Sequence, residues 1–213
     1  MRVMVGELQH RTRNLIGVVT ALVDKTGATG QTLEEFKVSL RDRLVALARV
    51  QGLLSRASPG EGVTFDRLLD SEISAHSEHG GTVTLDGRLG IVLNPVSVQA
   101  LAMALHELTT NALKYGALGR KNARLNIRWR VHAESGSPSI LVDWKESGLE
   151  TAAASNGPRG VGNGRRLIED ALPYQFGAQT SFVIEPDGVR CTIALPLRGP
   201  QTEEIQDGRV GAS

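Results

Sequence analysis

Two stretches near the start of the chain carry apolar residues at helical spacing, and they constrain the fold more than any other feature. The first places four apolar side chains on one face of a period of about 3.6 residues: Leu8, Leu15, Val19 and Leu22. The second stretch has apolar residues at the same helical spacing: Leu33, Phe36, Leu40, Leu44, Leu47 and Leu54. The segment "TGATG" at 26–30 separates them and "SRASPGEG" at 55–62 ends the second, so the pattern predicts a helical hairpin.

This hairpin accounts for residues 1–62. Thr32 and Glu35 stand at the start of its second helix with the spacing of a capping box, in which each side chain satisfies the other residue's backbone N–H. Two amphipathic helices bury only one seam between them and leave apolar surface uncovered. The hairpin is therefore expected either to dimerise into a four-helix bundle or to pack on the rest of the chain.

Beyond residue 62 the pattern becomes mixed. Alternating apolar and polar residues predict strands, of which the first two flank a turn at "DGRLG": "TVTLDG", "GIVLNP", "ARLNIRWRVH", "SILVDWKES", "QTSFVIEP" and "VRCTIALPL". Helical patterns occur in three segments: "TFDRLLDSEISAHS", "NPVSVQALAMALHELTTNALKYGA" and "RRLIEDALPYQF". Residues 63–197 are thus predicted to form an α/β sandwich with one antiparallel or mixed sheet and helices on one face, which makes the whole chain α+β. The polar segment 198–213 is predicted to be a flexible tail.

Composition excludes several classes of protein. A formal net charge of +1 gives no strong attraction to nucleic acid or to a membrane surface. The single cysteine, Cys191, lies in an alternating apolar run, so it is predicted to be a buried small hydrophobe, and a disulfide framework is excluded. No apolar run reaches the roughly 18 residues of a membrane span and no signal peptide is recognisable, so we expect a cytoplasmic protein without a membrane segment.

His10 is the first residue with possible chemistry. At about 100° per residue, Glu7, His10 and Asn14 share a stripe roughly opposite the apolar one, so the imidazole is expected to point outward. One interpretation is a solvated histidine on a polar helix face. The other is a nucleophile, since a neutral imidazole attacks electrophiles at cytosolic pH and Glu7 could hold its second ring nitrogen. No neighbouring residue has the spacing of a metal ligand.

Three polar residues share one face of the segment "HELTTNALKYGA". Glu107, Asn111 and Lys114 follow each other at helical spacing, which combines oxygen ligands for Mg²⁺ with an ammonium for phosphate. An ordinary solvated face with a charged pair explains the same pattern, and the residues alone do not decide between the two.

Two further motifs are compatible with a nucleotide. In "DWKESG", Glu146 and Gly148 follow a strand, where a carboxylate accepts a hydrogen bond from an exocyclic amine and glycine permits close approach. In "GVGNGRRLIE", Gly162 and Gly164 precede a helix whose free N–H groups favour anions. Each motif on its own is also consistent with a simple surface turn.

The order of the motifs resembles a bacterial sensor histidine kinase core of the HWE class, within the GHKL superfamily. "ELQHRTRN" resembles the H box and "ALHELTTNALKYGAL" the N box, with the class-marking His106. "WKESG" supplies Trp144 and the glutamate of the Trp-x-Glu motif, and "GNGRRLIEDALPYQFGAQTSF" resembles the G2 box together with the segment after it. The resemblance implies a dimerisation and phosphotransfer hairpin followed by a Bergerat-type ATP-binding domain.

The resemblance also implies a function and a set of partners. His10 would accept the γ-phosphoryl group of ATP and pass it to an aspartate of a response regulator receiver domain. A homodimer is expected, with a monomer as the alternative, and the sensor domain would lie outside this chain. Glu7 takes the place of the acid that common histidine kinases carry directly after the phosphoacceptor, where this chain has Arg11.

For the nucleotide, the resemblance implies ATP with Mg²⁺ and one role for each candidate residue. Asn111 would hold Mg²⁺, Glu107 would position metal-bound water or polarise the site, and Lys114 would contact phosphate. Adenine would lie against Glu146 with Gly148 beside it, and Gly162 and Gly164 would support the phosphates.

Two other functions fit the sequence. One is a non-catalytic phosphotransfer or docking module with a degenerate nucleotide site, which the short lid segment at 149–160 favours. The other is a GHKL ATPase or serine kinase acting on a partner protein, which would have no need of His10.

Overall fold

A computed structural model describes residues 32–56, 62–75, 80–134, 137–149 and 163–197. The predicted first helix of the hairpin, with His10 and Glu7, lies outside the described residues, as does Gly162.

Helix α1, Leu33–Arg56, is the second helix of the predicted hairpin. Its capping box is confirmed, because the Thr32 N–H donates to Glu35 Oε2 at 2.8 Å and the Glu35 N–H donates to Thr32 Oγ1 at 3.3 Å. The predicted apolar stripe is partly wrong. Leu44 is 38% exposed, whereas Arg43 beside it is only 3% exposed.

A mixed five-stranded sheet dominates the rest of the chain. Its strands are β2 Thr82–Gly87, β4 Arg124–Glu134, β5 Ser137–Ser147, β6 Gln179–Glu185 and β7 Gly188–Pro196, and their order in the sheet is β2-β4-β5-β7-β6. β2 pairs with β4 in parallel and the other pairs are antiparallel. The short β1 (Val63–Thr64) and β3 (Val92–Leu93) pair separately, so the two strands predicted around "DGRLG" exist but join different sheets.

The helices pack on one face of this sheet. They are α2 Phe65–Ser74, α3 Pro95–Lys114, α4 Asn163–Arg166 and α5 Leu172–Phe176, with a 3₁₀ turn at Ala117–Gly119 and a π-helical turn at Leu167–Ala171. The Asn94 side chain caps α3 by accepting the Ser97 N–H at 2.8 Å, and Pro95 occupies the first turn where its missing N–H is harmless. These elements confirm the predicted α+β class.

The main core lies between α3 and the sheet. Leu101 and Leu105 of α3 and Ile127 and Trp144 of the sheet are each 0% exposed. Cys191 is 1% exposed, as its place in an alternating strand predicts. None of the helices within the described ranges is long and apolar enough to span a bilayer.

Candidate functional site

The face of α3 that carries Glu107, Asn111 and Lys114 runs from the protein interior to solvent. Glu107 is 8% exposed, Asn111 is half-buried and Lys114 is exposed. Helical spacing thus brings the three predicted residues into one line, and it leaves the ammonium at the open end and the carboxylate at the closed end.

Glu107 is held from α1. The Arg43 Nε–H donates to Glu107 Oε1 at 2.6 Å, and both residues are buried. A buried guanidinium–carboxylate pair compensates the desolvation of both charges, and loss of either partner leaves the other uncompensated. Sequence reasoning missed Arg43 because Leu44 next to it fitted the apolar stripe. The spacing of Leu40, Arg43 and Leu47 was the available signal.

The start of α4 lies against the same carboxylate. A side chain at Gly164 would come well inside van der Waals contact with Glu107 Oε2, and Gly164 is itself buried. Asn163 and Gly164, the last residues of the Gly-rich segment, therefore begin their helix at the closed end of the Glu107–Asn111–Lys114 face. Backbone N–H groups at such a helix start favour anions.

The residue before Glu107 belongs to a different network. The His106 ring Nδ1 lies 2.9 Å from Glu72 Oε1 of α2, and the Arg49 guanidinium of α1 donates to Glu72 Oε2 at 2.8 Å. His106 and Glu72 are each 5% exposed. Consecutive helical residues project about 100° apart, so His106 links α2 and α1 whereas Glu107 faces Arg43 and α4.

Glu146 is enclosed by its own chain. Its Oε2 accepts the Ala117 N–H at 2.7 Å and its Oε1 accepts the Trp144 indole N–H at 3.0 Å. The residue is 3% exposed, and a side chain at Gly116 would overlap the carboxylate. The pKa of Glu146 is raised because burial disfavours the charged form more than the hydrogen bonds from Ala117 and Trp144 favour it.

Gly148 has a backbone reason for its identity. Its φ of +75° lies in the left-handed region, and a Cβ there would approach the Asn122 carbonyl oxygen to 3.0 Å. The next residue, Leu149, donates its N–H to the Asp187 carbonyl at 2.8 Å, which fixes the end of β5. Glycine thus permits a tight exit from the strand that carries Glu146.

No group of three or more His, Cys, Asp or Glu side chains within the described ranges is arranged to hold a metal ion. Mg²⁺ with nucleotides is commonly held by one or two protein oxygens together with substrate phosphates. The Asn111 side chain offers an amide oxygen of that kind on its face of α3.

Comparison with known proteins identifies relatives across almost the whole chain. A model of the HWE histidine kinase family matches residues 7–88. The chain is 33% identical over 206 residues to blue-light-activated histidine kinase 1 of Erythrobacter litoralis, covering 94% of this chain and 54% of the relative. It is 26% identical over 205 residues to a blue-light-activated histidine kinase of Brucella anthropi, covering 94% and 41%. The chain thus spans about half the length of these relatives.

The similarity to solved structures also extends over most of the chain. The histidine kinase domain from the Erythrobacter litoralis EL346 blue-light-activated histidine kinase superimposes with a TM-score of 0.59 at 17% identity, covering 90% of each chain. At this identity the similarity shows the arrangement of helices and strands.

Proposed function

The chain is homologous to the HWE-type, blue-light-activated histidine kinases, and from this premise we propose that it is a protein-histidine kinase that phosphorylates itself on His10. The observation that supports the proposal most directly is the contact between Gly164 and Glu107. This contact puts the start of α4, the helix that contains Gly164, at the closed end of the Glu107–Asn111–Lys114 face. The proposal needs two kinds of group there: N–H groups that donate hydrogen bonds to phosphate, and oxygen atoms that bind the metal.

The polyphosphate and Mg²⁺ are assigned to this face. Lys114 at its exposed end offers an ammonium to phosphate, and Asn111 offers an amide oxygen to the metal. Gly162 and Gly164 would let backbone N–H groups approach phosphate oxygens without a side chain between them. The bound Mg²⁺ would neutralise charge that develops on the phosphoryl oxygens. Glu107 would position water or polarise the site once its carboxylate is available.

Adenine is assigned to the end of β5. The Glu146 carboxylate accepts two internal hydrogen bonds, but each oxygen has a second lone pair that an exocyclic amine or a bridging water can use. Gly148, two residues further along, would permit close approach of the nucleotide at the tight strand exit, and Gly116 keeps a side chain away from the carboxylate itself.

In the proposed reaction a neutral ring nitrogen of His10 attacks the γ-phosphorus of ATP. A P–N bond forms, the bond to the β,γ-bridging oxygen breaks and ADP leaves. Glu7 would hold the second ring nitrogen and so fix the tautomer. The phosphoryl group would then pass to an aspartate of a receiver domain docked on the hairpin, which is proposed to dimerise. Residues 1–62 supply the hairpin and 63–197 the nucleotide domain in this proposal.

Incubation with γ-labelled ATP and Mg²⁺ tests the reaction. We expect acid-labile, alkali-stable label on the wild-type protein and none on His10→Ala or Asn111→Ala. His132→Ala, which removes a histidine of β4, is the matched control and should label like the wild type. Label that survives in His10→Ala would reject the proposal.

The enclosed Glu146 favours one alternative, a phosphotransfer or docking module without nucleotide turnover. Such a protein would show no heat of MgATP binding in calorimetry, yet it would still exchange phosphate with a phosphorylated receiver domain. Measurable MgATP binding by the wild type would exclude this alternative.

A further inference from the structure

Two arginines of α1 reach carboxylates of the nucleotide domain. Arg43 holds Glu107 of α3 at 2.6 Å and Arg49 holds Glu72 of α2 at 2.8 Å. The Arg43 side chain is 4% exposed and that of Arg49 is 26% exposed, so the first pair is the more buried. α1 is therefore joined by charge to the helix that carries the candidate metal and phosphate residues.

The pair with Arg43 opposes the role proposed for Glu107. One carboxylate oxygen accepts a charge-assisted hydrogen bond from Arg43, and the other lies against the backbone at Gly164. A carboxylate in this state has fewer free lone pairs with which to hold a metal-bound water, because one oxygen is bound by the guanidinium and the other faces backbone. In this arrangement Glu107 is engaged by α1.

The two ends of α1 are attached differently. Near the C-terminal end, Val50 belongs to the main core, and Leu53 and Leu54 pack against it. One turn before Val50, Leu47 belongs to a separate small cluster with Met103, Leu167 and Ala171. Nearer the N-terminal end, Leu33 and Val38 are exposed. Arg43 thus lies at the boundary between the packed part of α1 and its exposed N-terminal part, so the helix can move there without disrupting the main core, provided that each charge of the pair gains a new partner.

That small cluster also reaches the glycine-led helix. Leu167 and Ala171 lie in the π-helical turn that directly follows α4. π-Helical turns are frequent at functional sites, where they alter the path of a helix by one residue. A ligand that shifts α4 would move the surface on which Leu47 packs, together with the Gly164 backbone beside Glu107. Such a shift would couple ligand binding near Gly164 to the packing of α1 on Leu167 and Ala171.

We propose that Arg43 is a positioning residue that withholds Glu107 from the nucleotide in a resting state, and that this ion pair opens during each phosphoryl transfer. The inference rests on the proposed kinase function and adds a control element to it. α1 continues the hairpin that is proposed to carry His10, so release of Arg43 would free the catalytic carboxylate and the phosphoacceptor lobe together.

The rate of His10 labelling at saturating MgATP tests this. Arg43→Met keeps the aliphatic stem and removes the charge, and we expect it to label about tenfold faster or more, since a hydrogen bond between charged groups in the resting state is lost. Arg49→Met is the matched control on the same helix, and it should stay within about twofold of the wild type. In the double variant Arg43→Met/Glu107→Gln the gain should vanish, because it acts through Glu107.

The outcomes of this experiment distinguish failure of the proposed kinase function from failure of the inference about Arg43. A wild type without label rejects the proposed function and the inference with it. A labelled wild type with Arg43→Met equal or slower rejects only the inference. An equal rise in Arg49→Met would assign control to docking of α1 as a whole and overturn the role of Arg43, as would a gain that persists in the double variant.

A measurement on the wild type covers the case in which Arg43→Met does not fold. Amide hydrogen exchange is followed with and without Mg²⁺ and a non-hydrolysable ATP analogue. We expect faster exchange around Arg43 when the nucleotide is bound, with exchange around Val50 unchanged. Unchanged or slower exchange around Arg43 would overturn the inference.

Discussion

Glu146→Gln tests which physical effect controls the buried carboxylate. In the wild type two N–H donors, from Ala117 and Trp144, each have a carboxylate oxygen as acceptor. Glutamine offers one oxygen and one NH₂ group, so one buried N–H would face another donor. An unsatisfied buried donor costs roughly 1–3 kcal/mol, which sets the expected loss in the free energy of unfolding.

A more specific prediction concerns how the loss in the free energy of unfolding caused by Glu146→Gln depends on pH. The pKa of Glu146 is raised above 4.5 in the folded protein. As pH rises past 4.5 the unfolded chain releases this proton first, so the folded state binds more protons and its stability falls until pH exceeds the raised pKa. The glutamine of the variant would not titrate. The protonated carboxyl still accepts through its hydroxyl oxygen, which an amide nitrogen cannot do, so the substitution should cost most at acid pH.

Urea denaturation of both proteins at about pH 4.5 and about pH 7.5 measures the effect. Subtracting the two free energies of unfolding at each pH removes the titration of groups that both proteins share. We expect the destabilisation by Glu146→Gln to be larger at the lower pH. A destabilisation that grows toward pH 7.5 would refute the reasoning, because hydrogen bonds to the carboxylate would then outweigh its burial.

Three further predictions each concern one residue: Gly164, Gly52 and Cys191. Gly164→Ala places a methyl against the carboxylate of Glu107, and overpacking of about 1–3 kcal/mol should lower the melting temperature by roughly 2–12 °C in circular dichroism. An unchanged melting temperature would show that the Gly164 backbone does not lie against the Glu107 carboxylate. Gly52→Ala in α1 meets only ordinary contacts, the nearest at 3.5 Å, so it should raise the free energy of unfolding by about 0.5–1 kcal/mol in urea. A lower free energy of unfolding for Gly52→Ala would contradict this expectation. Burial raises the pKa of the Cys191 thiol to about 12, so the native protein should resist a thiol reagent at mild pH and react once unfolded.

Local signals in the sequence predicted most of the elements. The capping box at Thr32, the proline-led helix from Pro95 and the hairpin of β6 and β7 each depend on residues close together in the chain. Non-local pairing was not predictable in the same way. β2 joins β4 in parallel across all of α3, and no residue pattern in "TVTLDG" names its partner strand.

The sequence predicts which candidate residues share a helix face, but it does not predict the contacts that hold them. Helical spacing was enough to align Glu107, Asn111 and Lys114. The pair of Glu107 with Arg43 joins residues 64 positions apart, and the Ala117 N–H that binds Glu146 lies 29 positions away from it. An arginine in an apolar stripe is also easily overlooked, because its aliphatic stem packs like a hydrophobic residue while its head finds a buried acid.

His106 and Glu107 are neighbours in the chain but belong to different networks. The His106 ring is buried and bonded to Glu72, about 100° around α3 from the face that carries the candidate ligands. Through Glu72 it reaches Arg49, so three helices meet at one carboxylate next to the pair of Arg43 and Glu107. Such a junction ties α3 to α2 at the residue before Glu107. The ring of His106 is therefore held away from the face that carries Glu107, Asn111 and Lys114, and its contact with Glu72 holds α2 and α3 together.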